Sequence, residues 1–380
     1  MILTDLQIHH LRNISSAHIS LNSRFTIITG PNGSGKTSIL EALYLLSCGH
    51  SFRSREIASV VTHGQSTLTV FARAQNENTI SIQKSCSEPT QIKLNNLFCT
   101  TTSQLAYALP CQIFYSDIFQ IIDAGPSTRR SVLDWGLFHV KPGYLVLWKE
   151  YKKVLKHRNA LLKKHAPYAH FVPWDQQLSH LAHQLDNLRE SYFDLLKTRF
   201  YDVLQHLTDS PCSIEYVKGW DKKKTGKPLE QILVEHFKSD TLKQYTQYGA
   251  HQADITIESN DIRAKQLLSR GQQKIILIAL KLAQGDLLQH PCLYLFDDLV
   301  SELDHCHQKN LLRYLNRQQG QFVITSIDKL DIIAEFPPDQ VLSYSIENGL
   351  IANKPTHNIV SRETWRSEEF KTQLINDAPI

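Results

Sequence analysis

The chain has 380 residues, a hydrophobic fraction of 42% and a formal net charge of +4 at pH 7. This length and composition exclude a disordered protein and indicate two or three structural units around a substantial buried core. Because the overall charge is close to balanced, it says little about partners, and the positions of the basic residues are more informative than their number.

The apolar stretches, the N-terminus and the cysteines together predict a cytoplasmic protein with no membrane span. The longest apolar stretches, residues 275–282 and 293–296, fall far short of the roughly 20 residues that cross a bilayer. Residues 1–9 enter an alternating pattern directly, with neither a basic leader nor a cleavage site. The seven cysteines are scattered singly, which favours reduced thiols over a disulfide framework or a zinc site.

The first 50 residues predict strand, loop and helix in that order. Apolar and polar residues alternate at 6–8, 18–21 and 25–29, which indicates short strands that end at Gly30. After a glycine-rich turn, apolar residues recur at helical spacing from Gly35 until Gly49, a predicted C-terminal cap.

The turn between that strand and that helix fits the P-loop pattern in full. Its glycines allow successive backbone N–H groups to converge on phosphates, and the helix N-terminus adds partial positive charge. Lys36 is predicted to reach the β and γ phosphates, and Thr37 to supply a magnesium ligand. The alternative is a glycine-rich turn without a ligand. The predicted nucleotide-binding residues here are Gly30, Pro31, Asn32, Gly33, Ser34, Gly35, Lys36, Thr37 and Ser38.

Residues 60–100 alternate in a way that predicts further antiparallel strands, after which helical spacing takes over. Apolar residues from Leu178 to Leu195 recur at spacings of 3 and 4, which is typical of a coiled-coil seam. An upstream partner runs from Leu147 to Leu161, so the pattern predicts a short antiparallel helix pair with its turn at residues 165–173. Such a pair is too short for a long arm and indicates a compact helical lobe.

Seven Lys or Arg residues lie between 149 and 164, against the single acid Glu150. The helical seam faces its partner, so these charges are expected to point outward and to follow DNA phosphates with little sequence preference. The alternative is an ordinary solvated helix face. The candidate DNA-binding residues of this run are Lys149, Lys152, Lys153, Lys156 and Arg158.

An apolar strand at residues 293–296 ends in two carboxylates, Asp297 and Asp298. A P-loop ATPase presents its second magnesium contact in this way, so Asp297 is predicted to hold the metal. Asp298 lies where an ABC ATPase usually has a glutamate that orients the attacking water. The catalytic residues predicted are therefore Lys36, Asp297 and Asp298, with Thr37 and Asp297 as magnesium ligands; a pair of helix-capping aspartates is the alternative.

Residues 268–273 open a predicted helix and resemble the ABC signature motif, with Ser269, Arg270, Gly271 and Gln272 as candidate contacts. A serine and a glycine at a helix N-terminus form an anion site, although an ordinary serine N-cap has the same sequence. Residues 301–304 resemble the D-loop of that family and add Asp304. In ABC ATPases these motifs meet the nucleotide held by a second copy, which implies an ATP-dependent homodimer.

More specific segments are similar to the RecF family of ABC-type ATPases. They are residues 30–42 and 49–53, residues 125–130 with Leu133 and Asp134, and residues 156–161 and 299–304. The resemblance adds Arg12, in an early strand, as a nucleotide contact, and we add Arg129 and Arg130 to the candidate DNA-binding residues. This chain departs from the family at Ala250 and Gln252, and it has Thr325 and Ser326 where transporter ATPases carry a switch histidine. Asp117 and Gln120 are the candidates for a magnesium-sensing position.

The resemblance implies an α/β fold: an ABC-type ATPase head with an antiparallel β subdomain, plus a mostly helical second lobe. We expect an ATPase lobe at residues 1–115 and 290–354, a helical lobe at 116–289, and a polar tail at 355–380. It also implies an ATP-switched DNA-binding protein of recombinational repair with weak, DNA-stimulated ATPase activity. Its partners would be double- and single-stranded or gapped DNA, RecO and RecR, with RecA loaded as the outcome. A transporter subunit, a chromosome-organising ATPase and a DNA scaffold that holds ATP structurally are the alternatives.

Overall fold

The computed structural model describes residues 1–116, 125–221, 225–259, 262–298, 303–327 and 335–351. The chain divides into two compact units. The first, here the strand-rich unit, contains Leu3–Thr100 and the chain from Gln321 onward; the second, here the helical unit, contains Met1–Ile2 and Thr101–Gly320. The lobe boundaries expected at 115, 289 and 354 stay a prediction.

Strands and helices are numbered in chain order. The strands are β1 (Leu3–Leu11), β2 (Ile14–Ser20), β3 (Phe25–Thr29), β4 (Thr67–Ala74), β5 (Thr79–Ser85), β6 (Gln91–Leu94), β7 (Leu97–Phe98), β8 (Cys111–Phe114), β9 (Ser213–Val217), β10 (Asp254–Ser259), β11 (Ile262–Arg263), β12 (Leu293–Phe296), β13 (Gln321–Ser326), β14 (Val341–Glu347) and β15 (Leu350–Ile351). The helices are α1 (Lys36–Cys48), α2 (Ile57–Val60), α3 (Ser103–Ala108), α4 (Pro126–Val140), α5 (Tyr144–Lys163), α6 (Val172–Leu207), α7 (Leu229–Glu235), α8 (Phe237–Lys243), α9 (Ala264–Leu267), α10 (Arg270–Asp286) and α11 (His305–Arg317).

The strand-rich unit contains one antiparallel sheet and one set of mainly parallel strands. The antiparallel sheet has the order β2-β1-β4-β5-β6-β7, and its strands bury alternate side chains as the sequence predicts. In the second set, β3 pairs in parallel with β13 on one side and β14 on the other. All five residues of β3 are buried, including Thr26 and Thr29, which indicates that both faces of the strand are covered. The helix α1 packs against β13 and β4, so the turn that joins β3 to α1 is held from several sides.

The helical unit is built on α5 and α6, which form the predicted antiparallel pair. Arg158 of α5 contacts Asp175 of α6 beside their turn, and at the other end Arg189 of α6 donates to the hydroxyl of Tyr144. α10 packs along α6, and β12 pairs in parallel with β8. None of the described helices, not even the 36-residue α6, combines the length and the apolarity that spanning a bilayer requires.

The predicted seam on α6 is correct in its first half and wrong at its end. Leu178, Leu181 and Leu185 are buried, whereas Leu195 is 51% exposed and Leu196 takes its place in the core. A straight helix has 3.6 residues per turn, so the buried stripe drifts away from spacings of 3 and 4 that average 3.5. The helix continues past the predicted pair and ends at Leu207.

The segment that connects to β10 is fixed by a half-buried neutral histidine, His251. Its Nε2 lies 2.9 Å from the carbonyl oxygen of Thr246 and its Nδ1 lies 2.7 Å from the hydroxyl of Tyr151. A carbonyl only accepts, so Nε2 carries the proton and Nδ1 accepts from the tyrosine. Burial lowers the pKa of His251 from 6.5 to about 4, and it lowers the pKa of His139 in the same way.

We expect the free energy of unfolding to fall as the pH is lowered from 6.5 towards 4. Over that window the unfolded chain binds a proton at His251 that the folded chain excludes, so the stabilisation is complete above pH 6.5 and is lost on acidification. Urea unfolding measured at several pH values tests this. His251→Gln keeps a donor and an acceptor but does not titrate, so its stability should depend less steeply on pH; an unchanged slope would contradict the assignment.

Candidate nucleotide-binding site

The P-loop, residues 30–37, lies between β3 and α1, as predicted. Three of its glycines have positive φ values: 158° at Gly30, 79° at Gly33 and 116° at Gly35. The buried ammonium group of Lys36 donates to the carbonyl oxygens of Gly30, at 2.7 Å, and Pro31, at 3.2 Å. The loop is therefore wrapped around its own lysine, whose charge lies at the centre of the turn.

Two of the glycines are required by close packing as well as by conformation. A Cβ at Gly30 would lie 2.2 Å from the backbone oxygen of Ile346, in β14. A Cβ at Gly35 would lie 3.0 Å from the Ile346 side chain and 3.1 Å from the amide of Asn13. Gly33 has nothing within 4 Å of such a Cβ, so its positive φ alone favours glycine there.

Two residues that the sequence did not reveal hold the P-loop in place. The Asn13 amide donates to the carbonyl oxygen of Gly33 at 3.2 Å, and its oxygen accepts from the hydroxyl of Ser38 at 3.1 Å. From the β14–β15 turn, the N–H of Gly349 donates to the carbonyl oxygen of Ser34 at 2.7 Å. Asn13 directly follows the predicted contact Arg12, but no pattern indicated its role, and Gly349 is more than 300 residues distant from Ser34.

Arg12, a predicted nucleotide contact, lies in an ion pair with the helix that follows the P-loop. Its Nε and Nη2 each donate at 2.8 Å to the carboxylate of Glu41 in α1, and its Nη1 donates to the backbone oxygen of Ser59. Glu41 is fully buried and also accepts from the hydroxyl of Ser51. The hydrogen bond to Glu41 raises the pKa of Arg12. All three guanidinium nitrogens contact protein groups, so the described role of Arg12 is to fix α1, and a nucleotide contact stays a prediction.

The P-loop carries hydrogen-bond donors that could bind a chain of phosphates, and one of its polar groups is unsatisfied. Ser34 Oγ is buried and has no hydrogen-bond partner among the described residues. Thr37 is half-buried in the first turn of α1, where the helix N-terminus favours negative charge. A buried cation, an unsatisfied hydroxyl and a helix N-terminus in one turn are the groups that bind an anion.

The two predicted carboxylates follow β12 in the helical unit. All four residues of β12 are buried, and the N–H of Asp297 continues the pairing by donating to the carbonyl oxygen of Phe114 at 2.8 Å. Asp297 and Asp298 are both half-buried. Asp298 has a φ of 46°, a left-handed conformation that non-glycine residues adopt rarely and that is common at functional turns.

The predicted signature turn is the N-terminus of α10, and Ser269 is its N-cap. Ser269 accepts from the N–H of Gln272 at 3.3 Å, while the Gln272 side chain accepts from the N–H of Ser269 at 3.0 Å, which forms a capping box. Ser269 and Arg270 are exposed. A Cβ built at Gly271 would meet no described residue within 4 Å. Packing against the described part of the chain therefore does not require a glycine at 271.

The predicted D-loop is only partly described, since residues 299–302 lie outside the described residues. Asp304 is exposed and caps α11 by accepting from the N–H of His307 at 2.9 Å. That backbone contact and the ring of His307 lower the pKa of the Asp304 carboxyl. Asp117, Gln120, residues 222–224 and the tail at 355–380 also lie outside the described residues, whereas Thr325 and Ser326 are buried at the end of β13.

The basic run on α5 is exposed except at one position. Arg158 is fully buried, with Nε 2.6 Å from Asp175 and Nη1 2.7 Å from Asp240, so the prediction that it points outward to bind DNA is wrong. It lies four residues after Val154 and seven after Tyr151, on the stripe that packs into the core. The exposed lysines of this face are Lys149, Lys152, Lys153, Lys156, Lys163 and Lys164.

Arg129 and Arg130 of α4 are engaged with the segment that leads into β10. Arg129 forms two hydrogen bonds of 2.8 Å with the carboxylate of Asp254. Arg130 donates to the carbonyl oxygen of Ala253 at 2.7 Å. The charge of Arg129 is therefore neutralised within the chain, which leaves the exposed lysines of α5 as the stronger candidates for a phosphate contact.

Comparisons with known proteins agree with this architecture. The model of the RecF/RecN/SMC N terminal domain family matches residues 2–343. The DNA replication and repair protein RecF of Psychromonas ingrahamii is 36% identical over 359 residues, which cover 92% of this chain and 99% of that protein. That of Francisella tularensis subsp. tularensis is 35% identical over 336 residues, covering 87% and 95%.

Among solved structures, the recombination mediator protein RecF-ATP of the RecFOR pathway aligns with a TM-score of 0.80 at 24% identity, covering 92% of this chain and 97% of that one. An Smc head bound to the C-winged helix domain of ScpA aligns with a TM-score of 0.60 at 16% identity, covering 96% and 100%. These likenesses confirm the predicted ABC-type head fold. The family model and the sequence relatives show that this chain belongs to the RecF family.

Proposed function

We propose that this chain is an ATP-dependent DNA-binding protein of recombinational repair and replication restart. The observation that carries the proposal is the complete P-loop between β3 and α1, with Lys36 buried at its centre. Membership of the RecF family supports the DNA part of the proposal, since the relatives are named DNA replication and repair proteins. The exposed lysines of α5 supply a surface of the right charge.

The bound nucleotide would be ATP with magnesium. Lys36, Ser34 and the N–H groups of the loop would hold the phosphates, and Thr37 with Asp297 would hold the metal, which neutralises phosphate charge when bound. Asp298 would position water. It is one methylene shorter than glutamate, and a misplacement of about 1 Å can cost on the order of a hundredfold in rate. We therefore propose slow hydrolysis, so that ATP acts mainly as a switch that is reset.

Two copies would close on ATP, with the signature turn of each meeting the nucleotide of the other. The exposure of Ser269 supports this, and so does the lack of any described residue within 4 Å of a Cβ built at Gly271, because a helix N-terminus of this kind can bind an anion. Dimerisation and nucleotide binding would then be one linked equilibrium, with DNA lying across the joined copies.

Gly271→Asp is expected to leave the single chain folded and to abolish ATP-dependent dimerisation. A Cβ built at Gly271 meets no described residue within 4 Å, and an acid in the first turn of a helix is favourable, whereas its charge would repel a phosphate. Light scattering with ATP and magnesium measures the change in mass.

Gly125→Asp is the matched control, since Gly125 is the N-cap of α4 and a Cβ built there meets no described residue within 4 Å. It should dimerise like the wild type. A wild-type chain that stays single when saturated with ATP and duplex DNA would contradict the proposal.

The lysines of α5 would bind the DNA backbone. Each phosphate contact contributes about 0.9 to the slope of log affinity against log salt, so Lys153→Ala with Lys156→Ala should reduce that slope by about 2 and weaken binding equally across sequences. Fluorescence anisotropy over a salt series measures it. The control is Lys238→Ala with Lys309→Ala, two exposed lysines on α8 and α11. Equal slopes in both variants would contradict the assignment of this face.

We extend the proposal to RecO and RecR as partners and to gapped DNA as the preferred structure, with RecA loading as the outcome. The support is the family and the similar RecF-ATP structure, which is described as part of the RecFOR pathway.

A further inference from the structure

The signature turn and the D-loop are joined by hydrogen bonds through the end of α6. Thr208 is the C-cap of α6, and its Oγ1 accepts from the N–H of Ser210 at 3.2 Å. The side chains of these two residues extend to different partners, one at each turn. We call Thr208 and Ser210 the 208–210 bridge.

On one side the bridge holds the signature turn. The side-chain nitrogen of Gln272 donates to Ser210 Oγ at 3.2 Å, while its side-chain oxygen accepts from the N–H of Ser269. Both ends of that amide are thus engaged, and its orientation is fixed. The side chain of Gln272 therefore connects Ser269, at the exposed tip of the turn, to the bridge.

On the other side the bridge holds the D-loop. His307 Nδ1 lies 2.6 Å from Asp304 Oδ2, and His307 Nε2 lies 3.2 Å from Thr208 Oγ1. A carboxylate only accepts, so Nδ1 carries a proton. In a neutral ring the threonine hydroxyl then donates to Nε2; in a charged ring Nε2 donates to the hydroxyl. The contact therefore persists in both protonation states of His307.

We propose that Thr208 and Ser210 are positioning residues that hold the signature turn and the D-loop at a fixed spacing before the second copy arrives. This inference rests on the proposed ATP-dependent dimer. Ser269 is exposed, and the Asp304 side chain is 64% exposed, so neither tip is held in place by burial. Ordering two exposed turns on association costs free energy, and a bridge formed beforehand removes part of that cost.

The bridge acts on dimerisation and not on the cradle of the P-loop. The P-loop and Lys36 belong to the strand-rich unit, whereas all the residues of the bridge and of the two turns belong to the helical unit. Loss of the bridge should therefore leave the binding of ATP to a single chain unchanged and weaken the assembly of two. A merely structural role would instead lower the free energy of unfolding of the single chain and leave the dissociation constant of the ATP-bound dimer unchanged.

Thr208→Val tests the inference, because valine keeps the shape of threonine and removes the hydroxyl. With both hydrogen bonds of Thr208 Oγ1 lost in each copy, we expect the dissociation constant of the ATP-bound dimer to rise about tenfold or more. Binding of a fluorescent ATP analogue to dilute single chains should not change. Thr208→Ser should restore dimerisation, and Thr198→Val is the matched control, since Thr198 is exposed on the same helix and bonds only the carbonyl oxygen of Asp194 among the described residues.

Ser210→Ala, alone and with Thr208→Val, makes the test independent of either single variant. If Thr208 and Ser210 act through the same connection, the double variant should weaken the dimer scarcely more than either single variant does. Effects that simply multiply, or a Thr208→Val chain that dimerises like the wild type, overturn the inference. A wild type that never dimerises with ATP refutes the proposed function instead, so the two failures are distinguishable.

Discussion

Lys36→Met is expected to remove the stabilisation that ATP and magnesium confer on the folded chain. In the wild type, a ligand at a hundred times its dissociation constant adds about 2.7 kcal/mol to the free energy of unfolding. The ammonium of Lys36 contacts only two backbone carbonyl oxygens among the described residues, so a methionine of similar length leaves the unliganded fold intact. Thermal unfolding with and without ATP and magnesium measures the shift.

Lys84→Met is the matched control. Lys84 lies in the same unit, is half-buried and donates to the hydroxyl of Thr90 at 3.4 Å. It should keep the full ATP-induced shift. If Lys36→Met also kept the ATP-induced shift, the phosphates would have to bind elsewhere. The proposals that ATP bound at this loop drives dimerisation and is hydrolysed there would then both be wrong.

The P-loop could be predicted from the sequence because its determinants are local. Each feature of this segment is set by residues close to it in the sequence. These features are the positive φ values of Gly33 and Gly35, the start of the helix at Lys36 and its cap at Gly49. The signature turn is local in the same sense, since the capping box joins Ser269 to Gln272. The resemblance identified the RecF family as the one to which these motifs belong, and the sequence relatives and the family model confirm that family.

The supports of the loop could not be predicted, because they come from distant parts of the chain. Gly349 bonds the oxygen of Ser34, and the backbone of Ile346 leaves room only for glycine at 30. The 208–210 bridge is similar, since Thr208 and His307 are 99 residues apart. Only a folded chain brings such pairs together.

Arg158 is different, because the sequence held the signal for its burial. It shares a helical stripe with Tyr151 and Val154, two apolar residues within the partner helix predicted from Leu147 to Leu161. The prediction that Arg158 binds DNA followed from its charge and did not use its position on that stripe. The two carboxylates that allow an arginine to be buried there come from Asp175 and Asp240, and the second is 82 residues away.

Arg158→Leu is therefore expected to destabilise the helical unit strongly. It leaves Asp175 and Asp240 buried without their partner, and breaking a buried ion pair by removing one member costs about 3–5 kcal/mol. Burial already raises the pKa of Asp175 although Arg158 lies beside it, so the loss of that charge favours its protonation further. Urea unfolding followed by tryptophan fluorescence measures the change, because Trp174 precedes Asp175 directly.

Lys156→Leu is the control for the same substitution on the exposed face of the same helix. It should change the free energy of unfolding by less than about 0.5 kcal/mol and should weaken DNA binding instead. Replacing Arg158, Asp175 and Asp240 together by Met, Leu and Leu should recover much of the stability, since a buried ion network is often no more stable than an apolar one of equal volume. If Arg158→Leu were stable and failed to bind DNA, Arg158 would have to leave its carboxylates to reach the phosphates, and the buried network would be a resting state.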